Sequence, residues 1–249
     1  MNFYKYCASG NDFVIFSADK KADRSELAKI LCNRYEGIGA DGLVVLLPHK
    51  DYDFEWEFYN KDGSSASMCG NASRAVAHFA HYIKGMDSKL RFLTAAGVIE
   101  AKVEKDFVEV NLGKIKYTKE PFEFENKIWQ ECDSGVPHLV HFCENLNEFD
   151  KKTCEFLRKK YNANVNYAEI PNKNTIKVRT FERGVEDETL ACGTGMAACF
   201  HLAFLKNLVQ NGVKIIPKSK EEVFFRMQEE SICFKGKVRY CFEANYNFS

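Results

Sequence analysis

Apolar and polar residues alternate through most of this chain, a pattern typical of strands that bury one face. A turn interrupts the first of these segments at residues 9–12, and 116–124 is predicted to be a crossover connection. Predicted strands cover residues 3–16, 43–47, 53–59, 90–93, 98–103, 108–112, 127–132, 139–142, 164–170, 176–181, 222–227, 231–234 and 238–242.

In four other segments the apolar residues recur every three or four positions, which is the spacing of a helix with one buried face. The first is predicted over 25–35, with Ser25 as its N-cap and an end near Gly37. The others are predicted beyond Asn71 to Gly85, over 147–161, and from Met196 toward Gly212. The sequence therefore predicts a mixed α and β protein.

Two of the predicted helices begin directly after a cysteine and a glycine. These are the segments Ser67-Met68-Cys69-Gly70-Asn71 and Leu190-Ala191-Cys192-Gly193-Thr194-Gly195, and their cysteines lie about half of the 249-residue chain apart. The order of strand, polar loop, Cys-Gly and helix occurs in both halves. We therefore predict two similar domains, 1–114 completed by a strand at about 239–249, and 115–238, each with a mostly antiparallel sheet wrapped around one long helix.

A cysteine at the start of a helix favours acid–base chemistry by its thiol. The N-terminus of a helix presents N–H groups and a positive dipole end, which lower the pKa of a thiol and attract carboxylates. A thiolate can remove the weakly acidic α-proton of an amino acid while a second thiol returns a proton from the opposite face. Two such thiols, Cys69 and Cys192, therefore suggest inversion of a stereocentre.

Composition excludes several other classes of function. Lys plus Arg and Asp plus Glu number 35 each, so no net field favours nucleic acid or an anionic membrane. A signal peptide and a membrane-spanning apolar run are not visible, and we predict a cytoplasmic protein with mostly reduced cysteines. Eight of the ten cysteines are expected to be small buried hydrophobic residues, namely Cys7, Cys32, Cys132, Cys143, Cys154, Cys199, Cys233 and Cys241.

The motifs around the two thiols resemble those of the diaminopimelate epimerase family, whose members interconvert LL- and meso-2,6-diaminopimelate on the route to lysine and peptidoglycan. The resemblance extends along nearly the whole chain. It is carried by Ser9-Gly10-Asn11-Asp12-Phe13, Gly39-Ala40-Asp41-Gly42, Tyr59-Asn60-Lys61-Asp62-Gly63-Ser64, Met68-Cys69-Gly70-Asn71, Pro137-His138, Asn164-Val165-Asn166, Glu182-Arg183-Gly184 and Glu188-Thr189 followed by Ala191-Cys192-Gly193-Thr194-Gly195.

This resemblance implies two pseudo-symmetric α/β domains with the substrate in the cleft between them, no cofactor, no metal and a homodimer. It makes Cys69 and Cys192 the two acid–base residues, with His138 and Glu182 tuning the thiols. The residues that it implies for substrate binding are Asn11, Asn60, Gly70, Asn71, Asn164, Glu182, Arg183, Gly193 and Thr194. Among these, Asn60, Asn164 and Arg183 would bind the far, non-reacting end of the substrate.

The chain departs from the family at positions that bear on the substrate. Val136 replaces an asparagine that contacts the substrate in the family, and Gly42 stands where some members have glutamine, which we treat as tolerated variation. A two-thiol racemase or epimerase of the same fold that acts on another amino acid, as the proline racemase relatives do, therefore stays an alternative.

A more remote alternative is a metal-binding or thiol-redox protein. The spacing of His78 and His81, and of His138 and His141, could hold a metal ion. The sequence has no Cys-x-x-Cys pair, and we interpret His78 and His81 as surface or edge residues of a helix.

Overall fold

The computed structural model describes residues 1–247 and has two compact units. The first unit contains Met1–Asn111 and the C-terminal segment from Gly236, and the second contains Leu112–Lys235. Both units combine β-sheet with α-helix, so the predicted mixed α and β class is confirmed. Of the predicted strand at about 239–249, positions 248 and 249 lie outside the described residues.

The first unit is built on a sheet in which antiparallel pairs outnumber parallel ones. Its strands lie in the order β18-β1-β2-β3-β4-β5-β6-β7, and only the pairs β2–β3 and β4–β5 are parallel. These strands are β1 (Asn2–Ala8), β2 (Asn11–Ser17), β3 (Gly42–Leu47), β4 (Phe54–Asn60), β5 (Lys89–Thr94), β6 (Gly97–Glu104), β7 (Phe107–Lys114) and β18 (Arg239–Asn245).

Two helices pack on this sheet. Helix α2 (Gly70–Tyr82) is buried continuously from Gly70 to Ala80 and contacts β1, β2, β3 and β6. Helix α1 (Ser25–Cys32) buries only one face, through Ala28, Leu31 and Cys32, against β2 and β3. The run of small residues in α2 allows strands to approach it closely, so this helix forms the centre of the unit.

The second unit also has a mixed sheet. Strand β10 pairs with β11, β12 with β13 and β15 with β16 in antiparallel fashion, whereas β11–β12 and β13–β15 are parallel. The strands from Tyr117 onward are β8 (Tyr117–Thr118), β9 (Phe122–Phe124), β10 (Lys127–Asp133), β11 (Pro137–Cys143), β12 (Asn164–Asn172), β13 (Thr175–Glu182), β14 (Asp187–Thr189), β15 (Val213–Ile216), β16 (Val223–Gln228) and β17 (Ser231–Lys237).

Two helices pack on this second sheet as well. Helix α4 (Gly193–Leu205) is buried from Gly195 to Phe200 and contacts β10, β11, β12 and β13. Helix α3 (Lys151–Tyr161) packs through Cys154 and Leu157 into a cluster around Trp129. Each unit thus encloses one long helix that begins one residue after a cysteine.

Some predicted elements have different boundaries in the structure. Arg24, not Ser25, is the N-cap of α1, and α3 begins at Lys151 because both side-chain oxygens of Asp150 accept hydrogen bonds from its first turn. The predicted crossover at 116–124 contains the short strands β8 and β9, which pair with β10. Strand β15 was not predicted, since Val213–Ile216 is too short to show a clear period.

The expected burial of the cysteines is only partly correct. All ten are thiols, and Cys32, Cys132, Cys154, Cys199 and Cys233 are buried as expected. The others of that group differ, because two are only partly buried and one is exposed: Cys7, Cys143 and Cys241. No helix within residues 1–247 has the length and apolar character needed to cross a bilayer.

The structure leaves no room for a side chain at Gly42. A Cβ atom built there would lie 2.8 Å from the carbonyl oxygen of Tyr59 and 2.7 Å from the Phe58 ring. These two residues lie on β4, which pairs with β3 across this position. The backbones of the two strands would have to separate to admit a larger residue.

We predict that Gly42→Ala lowers the free energy of unfolding by about 1–3 kcal/mol, the usual cost of overpacking. Urea unfolding followed by circular dichroism measures this loss. An unchanged slope of the unfolding free energy against urea concentration would show that the substitution does not act through the unfolded state. Gly42→Gln should be no more stable than Gly42→Ala. A midpoint equal to that of the wild type in both variants would contradict the prediction.

Candidate active site

In the first unit, Cys69 is the N-cap residue of α2. Its backbone is extended, with φ −145° and ψ 119°, and its carbonyl oxygen accepts the first helical hydrogen bond from Ser73 N at 2.8 Å. The N–H groups of Gly70 and Asn71 therefore lie in the first turn, where a helix offers them no internal partner. The Cys69 side chain is partly exposed beside them.

Asn71 connects this helix start to the turn between β1 and β2. Its Nδ2 donates to Asn11 Oδ1 at 2.8 Å, and Asn11 Nδ2 donates to Asp41 Oδ2 at 3.0 Å. Asn60 pairs with Gly42 in the β3–β4 ladder, and Lys61 N donates to the Asp41 carbonyl at 3.0 Å. Asn11 and Asn60 thus lie next to the segment Asp41–Gly42, and Asn71 is joined to it through Asn11.

Charged side chains hold this segment in place. Arg34 donates to both Asp12 and Asp41, and Lys5 donates to Asp12 and to the Gly39 carbonyl. Burial alone would raise the pKa of Asp12, but the hydrogen bonds from Arg34 and Lys5 lower it to about 2. The carboxylate of Asp12 is therefore ionised at neutral pH and anchors the turn that carries Asn11.

In the second unit, Cys192 is the N-cap residue of α4. Its backbone is again extended, with φ −120° and ψ 110°, and its carbonyl oxygen accepts from Met196 N at 2.9 Å. Gly193 and Thr194 supply the first-turn N–H groups. The Cys192 side chain is 7% exposed, so this thiol is more buried than that of Cys69.

A chain of hydrogen bonds leads from Cys192 into the sheet. The Cys192 sulfur lies 3.5 Å from Thr194 Oγ1, which lies 3.0 Å from His138 Nε2. Asn166 Nδ2 lies 3.1 Å from His138 Nδ1 and donates to the Leu139 carbonyl at 2.9 Å, while Asn166 Oδ1 accepts from Thr180 Oγ1. His138 and Asn166 are both fully buried.

The donors and acceptors of this chain fix the tautomer of His138. A carbonyl oxygen only accepts, so the amide nitrogen of Asn166 faces Leu139 and its second N–H points to His138 Nδ1. Burial, aided by the charge of Arg183, lowers the pKa of His138 to about 3, so the ring is neutral. Nδ1 accepts, Nε2 carries the proton and donates to Thr194, and the Thr194 hydroxyl is left to donate to sulfur.

The remaining predicted residues of the second unit lie next to this chain. Asn164 Oδ1 accepts from Arg183 N at 2.8 Å, and Asn164 Nδ2 donates to the Pro137 carbonyl at 3.3 Å, so its amide orientation is also fixed. Glu182 lies at the end of β13, and burial raises the pKa of its carboxyl. The structure therefore brings Cys192, Thr194, His138, Asn164 and Arg183 into one region.

Several residues of this network were not predicted to be functional. Asp41 and Asn166 belong to motifs that carry the family resemblance, and the i, i+2 spacing of Asn164 and Asn166 on a strand places both on one face. Arg74, which lies one turn beyond Asn71 on α2 and donates to Asn71 Oδ1, had no such signal, because it is one polar residue in an apolar helical segment. Its contacts become visible only when distant segments come together.

The histidines that suggested a metal site have other surroundings. His78 packs against the rings of Tyr6 and Tyr82, and at 7% exposure it is buried, so its assignment to the surface was wrong. His81 Nδ1 lies 2.8 Å from the Met86 carbonyl. Across residues 1–247, no three or more His, Cys, Asp or Glu side chains are grouped so that they could hold a metal ion.

The hydrogen bond between Thr194 and the sulfur predicts a measurable change in thiol reactivity. Thr194→Val keeps the shape of the side chain but removes the donor that stabilises a thiolate, so alkylation of Cys192 by iodoacetamide at neutral pH should slow by up to about tenfold. Thr194→Ser keeps the hydroxyl and is the control. Mass spectrometry of the Cys192 peptide measures the rate, and equal rates in both variants would contradict this role of the hydroxyl.

Comparison with known proteins agrees with the motifs. The family model described as diaminopimelate epimerase matches residues 3–118 and 132–240. The diaminopimelate epimerase of Campylobacter jejuni is 68% identical over 249 residues, with 100% of both chains covered, and that of Nitratiruptor is 59% identical over 245 residues, with 98% of both covered.

The fold itself recurs at much lower identity. The solved structure of a PhzF-family phenazine biosynthesis protein from Enterococcus faecalis matches with a TM-score of 0.78 at 13% identity, covering 99% of both chains. At that identity the likeness concerns the fold alone. The family model, by contrast, matches most of the chain, and the Campylobacter jejuni relative is 68% identical over its whole length. On this basis the chain belongs to the diaminopimelate epimerase family.

Proposed function

We propose that this protein interconverts LL- and meso-2,6-diaminopimelate without a cofactor, in the formation of lysine and peptidoglycan precursors. Membership of the diaminopimelate epimerase family supports the substrate. The observation that carries the mechanism is the position of Cys69 and Cys192, each the N-cap residue of a long, buried helix. In the proposed mechanism, both thiols act on one α-carbon, from its two faces.

The reaction needs one thiolate and one thiol. The thiolate removes the α-proton, negative charge spreads into the adjacent carboxylate, and the second thiol donates its proton to the opposite face of the carbon. The substrate gains and loses one proton, and the two sulfurs exchange their protonation states. A turnover in the reverse direction returns them to the starting state.

The first-turn N–H groups of the two helices are proposed to bind the carboxylate beside the reacting carbon. They belong to Gly70 and Asn71 on α2 and to Gly193 and Thr194 on α4. Donors that are already oriented stabilise charge as it develops in the transition state, without a cost of reorganisation. A similar electrostatic argument applies to the thiolate, because the N-terminus of a helix stabilises an anion.

The other end of diaminopimelate carries a second carboxylate and a second ammonium, which both need partners when they leave water. We assign Asn60, Asn164 and Arg183 to this end, and Glu182 together with the Arg183 backbone to an ammonium. Asn11 completes the proposed binding set. His138 is proposed to act as a neutral hydrogen-bond donor that tunes the thiols, since its pKa of about 3 leaves it uncharged at neutral pH.

Homodimeric assembly and a cytoplasmic location are part of this proposal. A reducing compartment suits the mechanism, because oxidation of either thiol would remove the base or the acid. Cys241 is exposed, so a reducing compartment would also protect this thiol from oxidation.

Exchange of the α-proton in deuterated water tests the two-thiol mechanism. With LL-diaminopimelate, the wild type should form the meso isomer and incorporate solvent deuterium, as measured by NMR. Cys69→Ser and Cys192→Ser should each lose at least about 100-fold in epimerisation, because a hydroxyl is a far weaker acid than a thiol and is scarcely ionised at neutral pH, so that it provides little base. Cys241→Ser, at an exposed thiol, is the control and should keep full activity.

Either of two results would oppose this proposal. Epimerisation that survives in one of the two serine variants would remove that thiol from the mechanism. Exchange by the wild type with another amino acid, and none with diaminopimelate, would keep the mechanism and replace the substrate.

Val136 provides a separate test of the substrate. This partly buried valine precedes Pro137 and His138, and it replaces an amide that contacts the substrate in the family. Val136→Asn should lower the KM for diaminopimelate several-fold, up to about tenfold, by adding a hydrogen bond to a buried polar group. Val136→Ala, which adds no polar atom, is the control, and an unchanged KM in Val136→Asn would count against an amide contact at this position.

A further inference from the structure

Arg74 is a charged side chain in the interior of the first unit. It lies on α2, one turn beyond Asn71, and it is 0% exposed. Its guanidinium donates to Asn71 Oδ1 at 2.6 Å, to Ser9 Oγ at 2.8 Å and to the Lys237 carbonyl at 3.2 Å. A buried cation is costly unless such bonds replace its water, so this position is not explained by packing alone.

The three acceptors lie on segments that are distant in the sequence. Asn71 belongs to the first turn of α2, Ser9 to the turn between β1 and β2, and Lys237 precedes β18. Arg74 therefore connects the start of α2 to the turn that also carries Asn11. The donor and the acceptor of the Asn71–Asn11 hydrogen bond thus lie on two segments that the Arg74 side chain holds together.

The polarity of these contacts fixes which way each amide faces. An arginine side chain only donates, so the oxygen of Asn71 faces Arg74 and its nitrogen faces Asn11. The oxygen of Asn11 accepts this bond, and its nitrogen donates to Asp41, a carboxylate that only accepts. The hydrogen-bonded chain Arg74–Asn71–Asn11–Asp41 begins at a cation and ends at an anion. Rotating either amide by 180° would place two oxygen atoms opposite each other.

We propose that Arg74 is a positioning residue that acts through Asn71 on Asn11, so that the second N–H of the Asn11 amide is offered to an oxygen of the substrate. The Asn11 oxygen already accepts a hydrogen bond from Asn71, so the group that the Asn11 amide offers to the substrate is an N–H donor and not its oxygen. This assignment rests on the proposed function, in which Asn11 and Asn71 bind the substrate. It adds to that function a residue that does not itself touch the substrate.

Two substitutions of Arg74 separate positioning from packing. Arg74→Lys keeps a buried cation that donates, whereas Arg74→Met has an unbranched chain without charge. Both variants leave at least one oxygen that accepts from Arg74 without its partner, so both should be less stable to urea than the wild type. Their kinetic constants are therefore compared under conditions in which both variants are folded.

The expected kcat/KM is lower by about ten- to a hundredfold in Arg74→Met, because small displacements of binding groups have effects of this size. Arg74→Lys should retain more of it than Arg74→Met. In the double variant Arg74→Met/Asn11→Ala, the loss of kcat/KM should be no greater than that of the more damaging single variant, because both substitutions interrupt the same chain of hydrogen bonds. A kcat/KM of folded Arg74→Met that equals or exceeds that of folded Arg74→Lys would overturn the proposal.

The other end of the chain gives a test that does not alter the buried arginine. Asp41→Ala removes the acceptor for Asn11 and should lower kcat/KM in the same way. Asp87→Ala is the control, since it removes a different carboxylate of the first unit, which accepts a hydrogen bond from Lys89 N and does not belong to the chain of Arg74, Asn71, Asn11 and Asp41. Equal losses in Asp41→Ala and Asp87→Ala would overturn the role of that chain.

A readout without substrate keeps this proposal distinct from the proposed function. The side-chain amide signals of Asn11 in a ¹⁵N NMR spectrum can be assigned by their loss in Asn11→Asp. They should shift in Arg74→Met and stay close to the wild-type position in Asp87→Ala. If they do so while the wild type fails to epimerise diaminopimelate, the function falls and the positioning role stands; unchanged signals in a folded Arg74→Met protein would overturn the positioning role alone.

Discussion

The first turn of a buried helix is the constraint on which both units depend. Its N–H groups have no partner within the helix, and burial removes the water that would otherwise bind them. In α2 and α4 that first turn follows a cysteine with an extended backbone. The need of these N–H groups for an acceptor is the physical basis for proposing that a carboxylate and a thiolate are stabilised at this position.

Neutral amides near the two helix starts are held in one orientation by groups whose hydrogen-bonding role cannot change. In the first unit these groups are Arg74, which only donates, and Asp41, which only accepts. In the second unit the Leu139 carbonyl orients Asn166, and Asn166 in turn sets the tautomer of His138. An asparagine or a histidine can present either a donor or an acceptor, so these fixed neighbours decide which of the two it presents.

The sequence was sufficient to predict the parts of the fold that follow from local pattern. Alternation identified most strands, and the two Cys-Gly segments were correctly predicted to precede the helices α2 and α4. Local pattern failed where a few residues or a distant partner decide the outcome: the short strand β15 has only four residues, and β8 and β9 form because β10 is available to pair with them.

The candidate site shows the same division. The Cys-Gly segments predicted the positions of Cys69 and Cys192 at two helix starts, whereas the asparagines were predicted from the family resemblance. The burial of Arg74 was not predictable, since its acceptors Ser9 and Lys237 are 65 and 163 residues away. The tautomer of His138 also depends on a partner, Asn166, whose amide is oriented by the fold and not by its own sequence neighbours.

Orientation alone does not define such a site, because the groups must also approach one another closely. Gly195 provides this approach in the second unit: a Cβ atom there would overlap Asn166 Oδ1 and lie 3.2 Å from Thr180 Oγ1. A methyl group would displace the amide that orients His138 without removing any hydrogen-bonding group. The hydrogen bonds set the direction of each donor and the absence of a side chain sets its distance, so a change of either kind would move the donors away from the charge that they are proposed to stabilise.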